Sequence, residues 1–165
     1  MEKIKGRVWK LKDNVNTDEI YPGKYLPIID PPEMAKHALE GIDKEFPNKI
    51  KKGDIIVAGF NFGCGSSREQ AATSLKYAGV ACVVAKSFSR IFFRNAINQG
   101  LAVVESKEVF DLIKDNEEII INYKTGEIEI KDKKISFPPL PDFLMSILEE
   151  GGLIPHVRKS LGIRS

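Results

Sequence analysis

At 165 residues the chain is long enough for one domain with a sizeable core. Its 25 basic and 23 acidic residues leave a net charge of +2, and no basic stripe interleaved with aromatics occurs, which argues against a nucleic-acid partner. No apolar run approaches a membrane span, no signal-peptide pattern opens the chain, and the two cysteines, Cys64 and Cys82, lack metal-ligand spacing, so a reduced, cytoplasmic protein is expected.

Ile4 to Leu11 alternates as a strand does, with Val8 and Trp9 its bulkiest members. Asp13-Asn14-Val15-Asn16-Thr17-Asp18 is polar and turn-rich. It suits an Asx-turn, and Asp18 reads either as part of that turn or as a carboxylate aimed into a site. Tyr21 to Pro32 holds four prolines in twelve residues, which excludes a helix or a central strand. Its composition is that of a lid or recognition loop with exposed apolar side chains. Helix signals run from Glu33 to Leu39 and end at Gly41; His37 within them reads as a surface histidine rather than a ligand or base.

Asp54 to Gly59 reads as a buried strand, and an Ala-rich helix is expected over Gln70 to Tyr77, ending before Gly79. Between them lies Asn61-Phe62-Gly63-Cys64-Gly65-Ser66-Ser67-Arg68-Glu69. The glycines permit a sharp turn and a close approach to a ligand. Ser66 and Ser67 sit where N-caps are expected, and Ser66-x-x-Glu69 and Ser67-x-x-Gln70 both fit a capping box. The first helical amides carry the positive end of the helix dipole, and Arg68 adds a planar fork of donors suited to a carboxylate. Such a turn is an anion site containing hydroxyls, although serines in this position often only cap. Neither the Walker lysine spacing nor the Gly-x-Ser-x-Gly of a nucleophile elbow is present.

Ala81 to Ala85 is a continuous apolar run, the mark of a parallel strand buried on both faces, with Cys82 a core residue. Ser89 precedes a helix from Arg90 to Gln99 stopped by Gly100; Arg90 and Arg94 share one face, a solvated one in preference to an anion contact. Leu101 to Val104 completes a β-α-β-α-β order and hence a parallel sheet. Glu118 to Tyr123 and Glu127 to Ile130 form a hairpin across Lys124-Thr125-Gly126. Pro138, Pro139 and Pro141 break the chain before a helix from Asp142 to Glu150, with Gly151 at its C′ position. Val157 to Ser165 reads as a short basic helix or a loose terminus, and His156 has no evident partner.

The motifs together resemble the family of 3-isopropylmalate dehydratase small subunits, whose relatives serve homoaconitase and aconitase. The resemblance runs through Gly6-Arg7-Val8-Trp9-Lys10, Asn16-Thr17-Asp18-Glu19-Ile20, Asn61 to Glu69, Lys86-Ser87-Phe88-Ser89-Arg90-Ile91 and Asn95 to Glu150-Gly151-Gly152, nearly the whole chain. It implies an α/β fold, a swivelling β/β/α domain over residues 1–165 with a mixed, mainly parallel sheet flanked by helices and a C-terminal β-hairpin. The implied activity is a hydro-lyase that interconverts 2- and 3-isopropylmalate by dehydration and rehydration in leucine biosynthesis.

The implied cofactor is a [4Fe-4S] cluster held by three cysteines of a large partner subunit. This chain, with two cysteines, then binds no cofactor itself and acts only in a heterodimer or heterotetramer. By the same resemblance Ser66 is the general base, Arg68 grips a substrate carboxylate, Ser67 donates a hydrogen bond to it, and Asp18 orients active-site partners across the subunit interface. The resemblance also implies that Tyr25-Leu26-Pro27-Ile28 faces the substrate's variable group. Pro27 and Ile28 offer no charge, which favours an isopropyl group over a further carboxylate. The alternatives are a related dehydratase acting on 2,3-dimethylmalate, citramalate or homoaconitate, or a non-catalytic anion-binding module.

Overall fold

Apolar continuity sorts the strands into two kinds. In the computed structural model, which describes residues 3–162, β1 (Lys3–Lys10) alternates in burial, whereas β2 (Ile55–Ala58) and β3 (Cys82–Ala85) are buried at every position. β4 (Ala102–Glu105) is buried except at Glu105. These four strands pair in parallel, with Val8 opposite Ile55, Ile56 opposite Val83 and Val84 opposite Val104. β5 (Glu118–Asn122), β6 (Glu127–Ile130) and β7 (Lys133–Ser136) join antiparallel on the other side of β1, giving the order β4-β3-β2-β1-β5-β6-β7. The expected mixed sheet with its hairpin is present. β7 makes the antiparallel half larger than the sequence suggested; only Ile135 of its four residues is buried, too little for a period-two signal.

Side chains of buried strands point alternately to opposite faces, so the sheet separates two apolar clusters. Ile56, Ala58, Val83, Ala85 and Val103 meet the helical layer. Ile55, Val57, Cys82, Val84 and Val104 meet Ile119, Ile121, Ile128, Ile130 and Ile135 of the curled antiparallel half. The helical elements are α1 (Thr17–Ile20), α2 (Pro31–Ala35), α3 (Phe46–Lys49), α4 (Glu69–Ala78), α5 (Arg90–Asn98), α6 (Val109–Leu112), α7 (Asp142–Glu149) and α8 (Leu153–Ser160).

Three expectations are corrected here. The segment 13–18 is not only an Asx-turn. Asn16 caps α1, its side chain accepting from Glu19 N at 2.8 Å while Glu19 Oε1 accepts from Asn16 N at 3.1 Å. Second, the proline-rich stretch is partly helical: Gly23–Tyr25 is a 3-10 turn, and α2 starts at Pro31 and stops at Ala35 instead of spanning Glu33 to Leu39. A proline in the first helical turn loses no hydrogen bond, which is why the helix starts there. Beyond Ala35 the chain continues in tighter turns, His37 N donating to Met34 O at 3.0 Å and Ala38 N to Ala35 O at 3.3 Å, until Leu39 takes φ +61° and its N–H donates to the Ile20 carbonyl at 2.7 Å. Third, the apolar residues of this stretch are not uniformly exposed. Tyr21 is fully buried, whereas Ile29 is 88% exposed. At the C-terminus, α8 covers Leu153 to Ser160, and residues 163–165 of the expected tail lie outside the described residues.

The parallel strands send their connections out from one edge of the sheet. Residues 11–16 follow β1, 59–68 follow β2 and 86–89 follow β3. In sheets of this kind ligands bind beyond the carboxyl ends of the strands, where neighbouring connections diverge.

Candidate functional site

Backbone hydrogen bonds fasten these three connections together. Gly63 N donates to Val15 O at 2.8 Å and Thr17 N to Cys64 O at 2.8 Å; Phe62 N donates to Ser87 O at 3.0 Å and Ser89 N to Phe62 O at 2.9 Å. The glycine turn is therefore the middle of a three-layer seam. Gly63 has φ +82°, and a Cβ there would run into the Phe92 ring, so only glycine fits. Ser89 caps α5 by accepting from Phe92 N at 3.2 Å and also donates to Gly63 O at 2.9 Å.

The serines do not cap α4. Arg68 occupies the N-cap with no side-chain cap bond, and neither expected capping box forms. Ser66 turns instead toward α1, its hydroxyl 3.2 Å from that of Thr17. Ser66 and Ser67 are exposed, whereas Thr17 is buried. Either hydroxyl can donate to the other. Thr17 was not singled out from the sequence; its signal lay only in the polar run Asn16-Thr17-Asp18.

Asp18 and Arg68, fifty positions apart in the chain, meet at 2.7 Å. Arg68 Nη1 also donates to the Tyr21 carbonyl at 3.1 Å, while Asp18 Oδ1 accepts from Gly23 N at 2.9 Å. The hydrogen bond from Arg68, with that from Gly23 second, holds the Asp18 carboxyl below the usual aspartate range. Both Nη1 hydrogens are thus engaged, and Nη2 and Nε carry the other three donors of the fork. Asp18 is 68% exposed and the Arg68 side chain 20% exposed. A guanidinium held through Nη1 keeps three donors whose planar geometry is suited to a carboxylate, in a turn that also carries two exposed hydroxyls.

Of the residues expected to face the substrate's variable group, Leu26 and Pro27 are exposed, whereas Ile28 is half-buried against the helical core. Tyr25 turns inward, its hydroxyl bonded to Glu40 and its ring stacked on His37. His37 is accordingly not a plain surface histidine; its Nδ1 lies 2.6 Å from Glu40 Oε2. His156 likewise has a partner, Glu150, at 3.0 Å. Arg90 and Arg94 are exposed and line a cleft of about 590 Å³ with Phe88, Phe93, Glu105 and Leu144, sharing no residue with the Ser66–Arg68 turn.

The residues of this chain do not fit an iron–sulfur cluster. Cys82 is buried in β3, where burial pushes its thiol far above the ordinary range, and Cys64 is half-buried in the glycine turn. Among the described residues no group of three or more His, Cys, Asp or Glu is arranged to hold a metal, and no helix is long and apolar enough to cross a membrane.

The structure is a mixed α/β domain whose seven-stranded sheet carries hydroxyls and an anchored guanidinium at the carboxyl edge of its parallel half. A family model described as the aconitase C-terminal domain matches residues 10–109. The 3-isopropylmalate dehydratase small subunit 1 of Archaeoglobus fulgidus is 54% identical over 155 residues, 93% of this chain and 96% of that one. The isopropylmalate/citramalate isomerase small subunit of Methanocaldococcus jannaschii is 49% identical over 160 residues, 96% of this chain and 95% of that one. A crystal structure of 3-isopropylmalate dehydratase from the same organism superposes with a TM-score of 0.91 at 48% identity, covering 96% of this chain and 95% of that one. The chain belongs to the aconitase C-terminal domain family, among the small subunits of 3-isopropylmalate dehydratases.

Proposed function

We propose that the chain is the small-subunit half of a hydro-lyase that interconverts 2- and 3-isopropylmalate, completed by a large subunit that holds the [4Fe-4S] cluster. The observation that carries this reading is the juxtaposition of Ser66, Ser67 and the Asp18-anchored Arg68 on one exposed edge, in a chain whose relatives are named as small subunits of this enzyme. The cluster supplies Lewis acidity when the partner holds it. This chain binds and orients the substrate carboxylate through the Nη2 and Nε donors of Arg68 and the Ser67 hydroxyl. Ser66 Oγ takes the proton from the carbon next to that carboxylate.

A serine hydroxyl is a weak base, and three features of the turn support its alkoxide. Thr17 stands within hydrogen-bond distance, Arg68 adds a positive charge two residues on, and α4 directs its positive end toward the turn. Asp18 orients Arg68 within its own chain. Leu26, Pro27 and Ile28 form the apolar wall for the isopropyl group. Such a wall discriminates weakly among alkyl groups, roughly 1–3 kcal/mol per methylene, and a relative at 49% identity is named for both isopropylmalate and citramalate. Methyl-bearing malate is therefore a second substrate in this reading.

Mixing purified chain with a cluster-bearing large subunit under anaerobic conditions tests the proposal. The chain alone is colourless and inactive, and hydration of isopropylmaleate starts only on mixing. Cluster absorbance or dehydratase activity in the single chain refutes it.

A further inference from the structure

We infer that Glu40 and His37 are positioning residues for substrate selection: they fix the Leu26–Pro27–Ile28 wall through the side chain of Tyr25. The recognition segment is otherwise held mainly by its own short-range bonds. Tyr25 N donates to Pro22 O at 3.0 Å, Leu26 N to Gly23 O at 3.1 Å and Ile28 N to Tyr25 O at 3.0 Å, and the Tyr21 hydroxyl donates to Tyr25 O at 2.6 Å. The backbone bonds set the shape of the segment, while the buried Tyr21 and the inward-packed Ile28 tie its two ends to the core. Between those ties Leu26 and Pro27 are exposed, and the Tyr25 side chain provides the polar anchor immediately before them.

That anchor engages the Tyr25 hydroxyl and both oxygens of the Glu40 carboxylate. The Tyr25 hydroxyl donates to Glu40 Oε1, and Glu40 Oε2 lies 2.6 Å from His37 Nδ1. The Tyr25 and His37 rings stack with centroids 3.6 Å apart at 13°. Burial pushes the Glu40 carboxyl up, but the hydrogen bonds from Tyr25 and His37 outweigh it and hold it below the usual glutamate range. Glu40 thus presents a carboxylate to two donors in a half-buried setting, where charge-assisted bonds are strong.

The backbone around Glu40 is itself bound to the catalytic side of the site. Leu39 N donates to Ile20 O at 2.7 Å and Gly41 N to Glu19 O at 3.0 Å. A Cβ at position 41 would lie 2.6 Å from the Asp18 carbonyl oxygen, so Gly41 permits the close approach. One rigid strip, residues 37–41, therefore grips both the helix carrying Asp18 and the ring preceding the wall. It sets the distance between the carboxylate grip and the alkyl pocket. Neither His37 nor Glu40 is placed against substrate; both act through Tyr25.

This inference rests on the reading that residues 26–28 face the substrate's variable group. The reconstituted two-subunit enzyme separates the two. Kinetics of isopropylmaleate and citraconate hydration are measured for Glu40→Ala, Glu40→Gln, Tyr25→Phe, the Tyr25→Phe/Glu40→Ala pair and Leu26→Ala. Displacing the wall costs the larger alkyl group its contacts, so Glu40→Ala and Tyr25→Phe each raise KM for isopropylmaleate about tenfold while KM for citraconate rises less than about threefold. Because the Tyr25–Glu40 bond is lost in both, the double variant is no worse than Glu40→Ala alone. Glu40→Gln recovers most of the loss, since its amide oxygen still accepts from Tyr25.

Tyr25→Phe keeps the ring and the stack and so decides the matter even if Glu40→Ala fails to assemble. Leu26→Ala raising KM for isopropylmaleate while Tyr25→Phe and Glu40→Ala leave it unchanged overturns the inference and leaves the pocket reading standing. Unchanged KM in all the variants removes the pocket reading and the inference with it. Equal loss on both substrates, carried by kcat alone, marks a general structural role and also overturns it.

Discussion

Replacing Arg68 by lysine separates what the residue does for the fold from what it does for the reaction. The substitution keeps the charge and removes the planar fork. In the structure Nη1 serves Asp18 at 2.7 Å and the Tyr21 carbonyl at 3.1 Å. Asp18 is mostly exposed, so solvent screening limits that ion pair to about 0.5–1 kcal/mol. The bond to the carbonyl of the buried Tyr21 adds about 1 kcal/mol. The stability loss is then about 1–2 kcal/mol, a fall in Tm of about 2–8 °C for a chain of this size. The remaining donors are those assigned to the substrate. Losing a charged hydrogen bond there costs about 1.5–3 kcal/mol, or about 10- to 150-fold in kcat/KM. Thermal denaturation of the chain and hydration kinetics of the reconstituted enzyme give the two numbers. A kcat/KM within about threefold of wild type, or a Tm loss above about 15 °C, refutes the division of roles.

Pro27→Arg supplies a partner for an extra carboxylate, so kcat/KM for cis-homoaconitate relative to isopropylmaleate rises at least about tenfold; equal use of both compounds by the wild type takes the choice away from this loop. Asp18 has a depressed folded pKa, so its contribution to stability is complete above the unfolded value, about pH 3.9, and is lost as pH falls through the lower folded value. Carboxyl NMR places its midpoint below the usual aspartate range, and Arg68→Gln raises it; a wild-type midpoint at or above that range contradicts the pairing.

Much of this architecture was legible because it rests on local pattern. Ile55–Ala58 and Cys82–Ala85 are strands with no polar face, and Gly79 and Gly100 stop the helices before them at left-handed φ values of +104° and +81°. The glycine turn announced itself by composition. What it does in detail did not, because the Ser66 hydroxyl had two possible partners, the α4 amides and the Thr17 hydroxyl, and only tertiary packing decides that competition. The Asp18–Arg68 pair joins residues fifty apart and leaves no periodicity. Resemblance to a family placed both in one site, and spacing did not. The Tyr25–Glu40–His37 cluster was missed for the same reason: a ring stacked across twelve positions looks, in sequence, like a proline-rich loop followed by an ordinary histidine. β7 went unread because a single buried isoleucine is all it contributes.

Ser66→Ala in the reconstituted complex tests the central claim most directly. The variant loses only a 3.2 Å contact with Thr17 at an exposed position, about 1 kcal/mol of stability, so folding and assembly survive. If Ser66 carries the proton, kcat falls by about 10²- to 10⁴-fold with substrate binding nearly intact. A Ser66→Ala enzyme that assembles and retains a substantial fraction of wild-type turnover contradicts the assignment of this turn as the catalytic edge of the subunit.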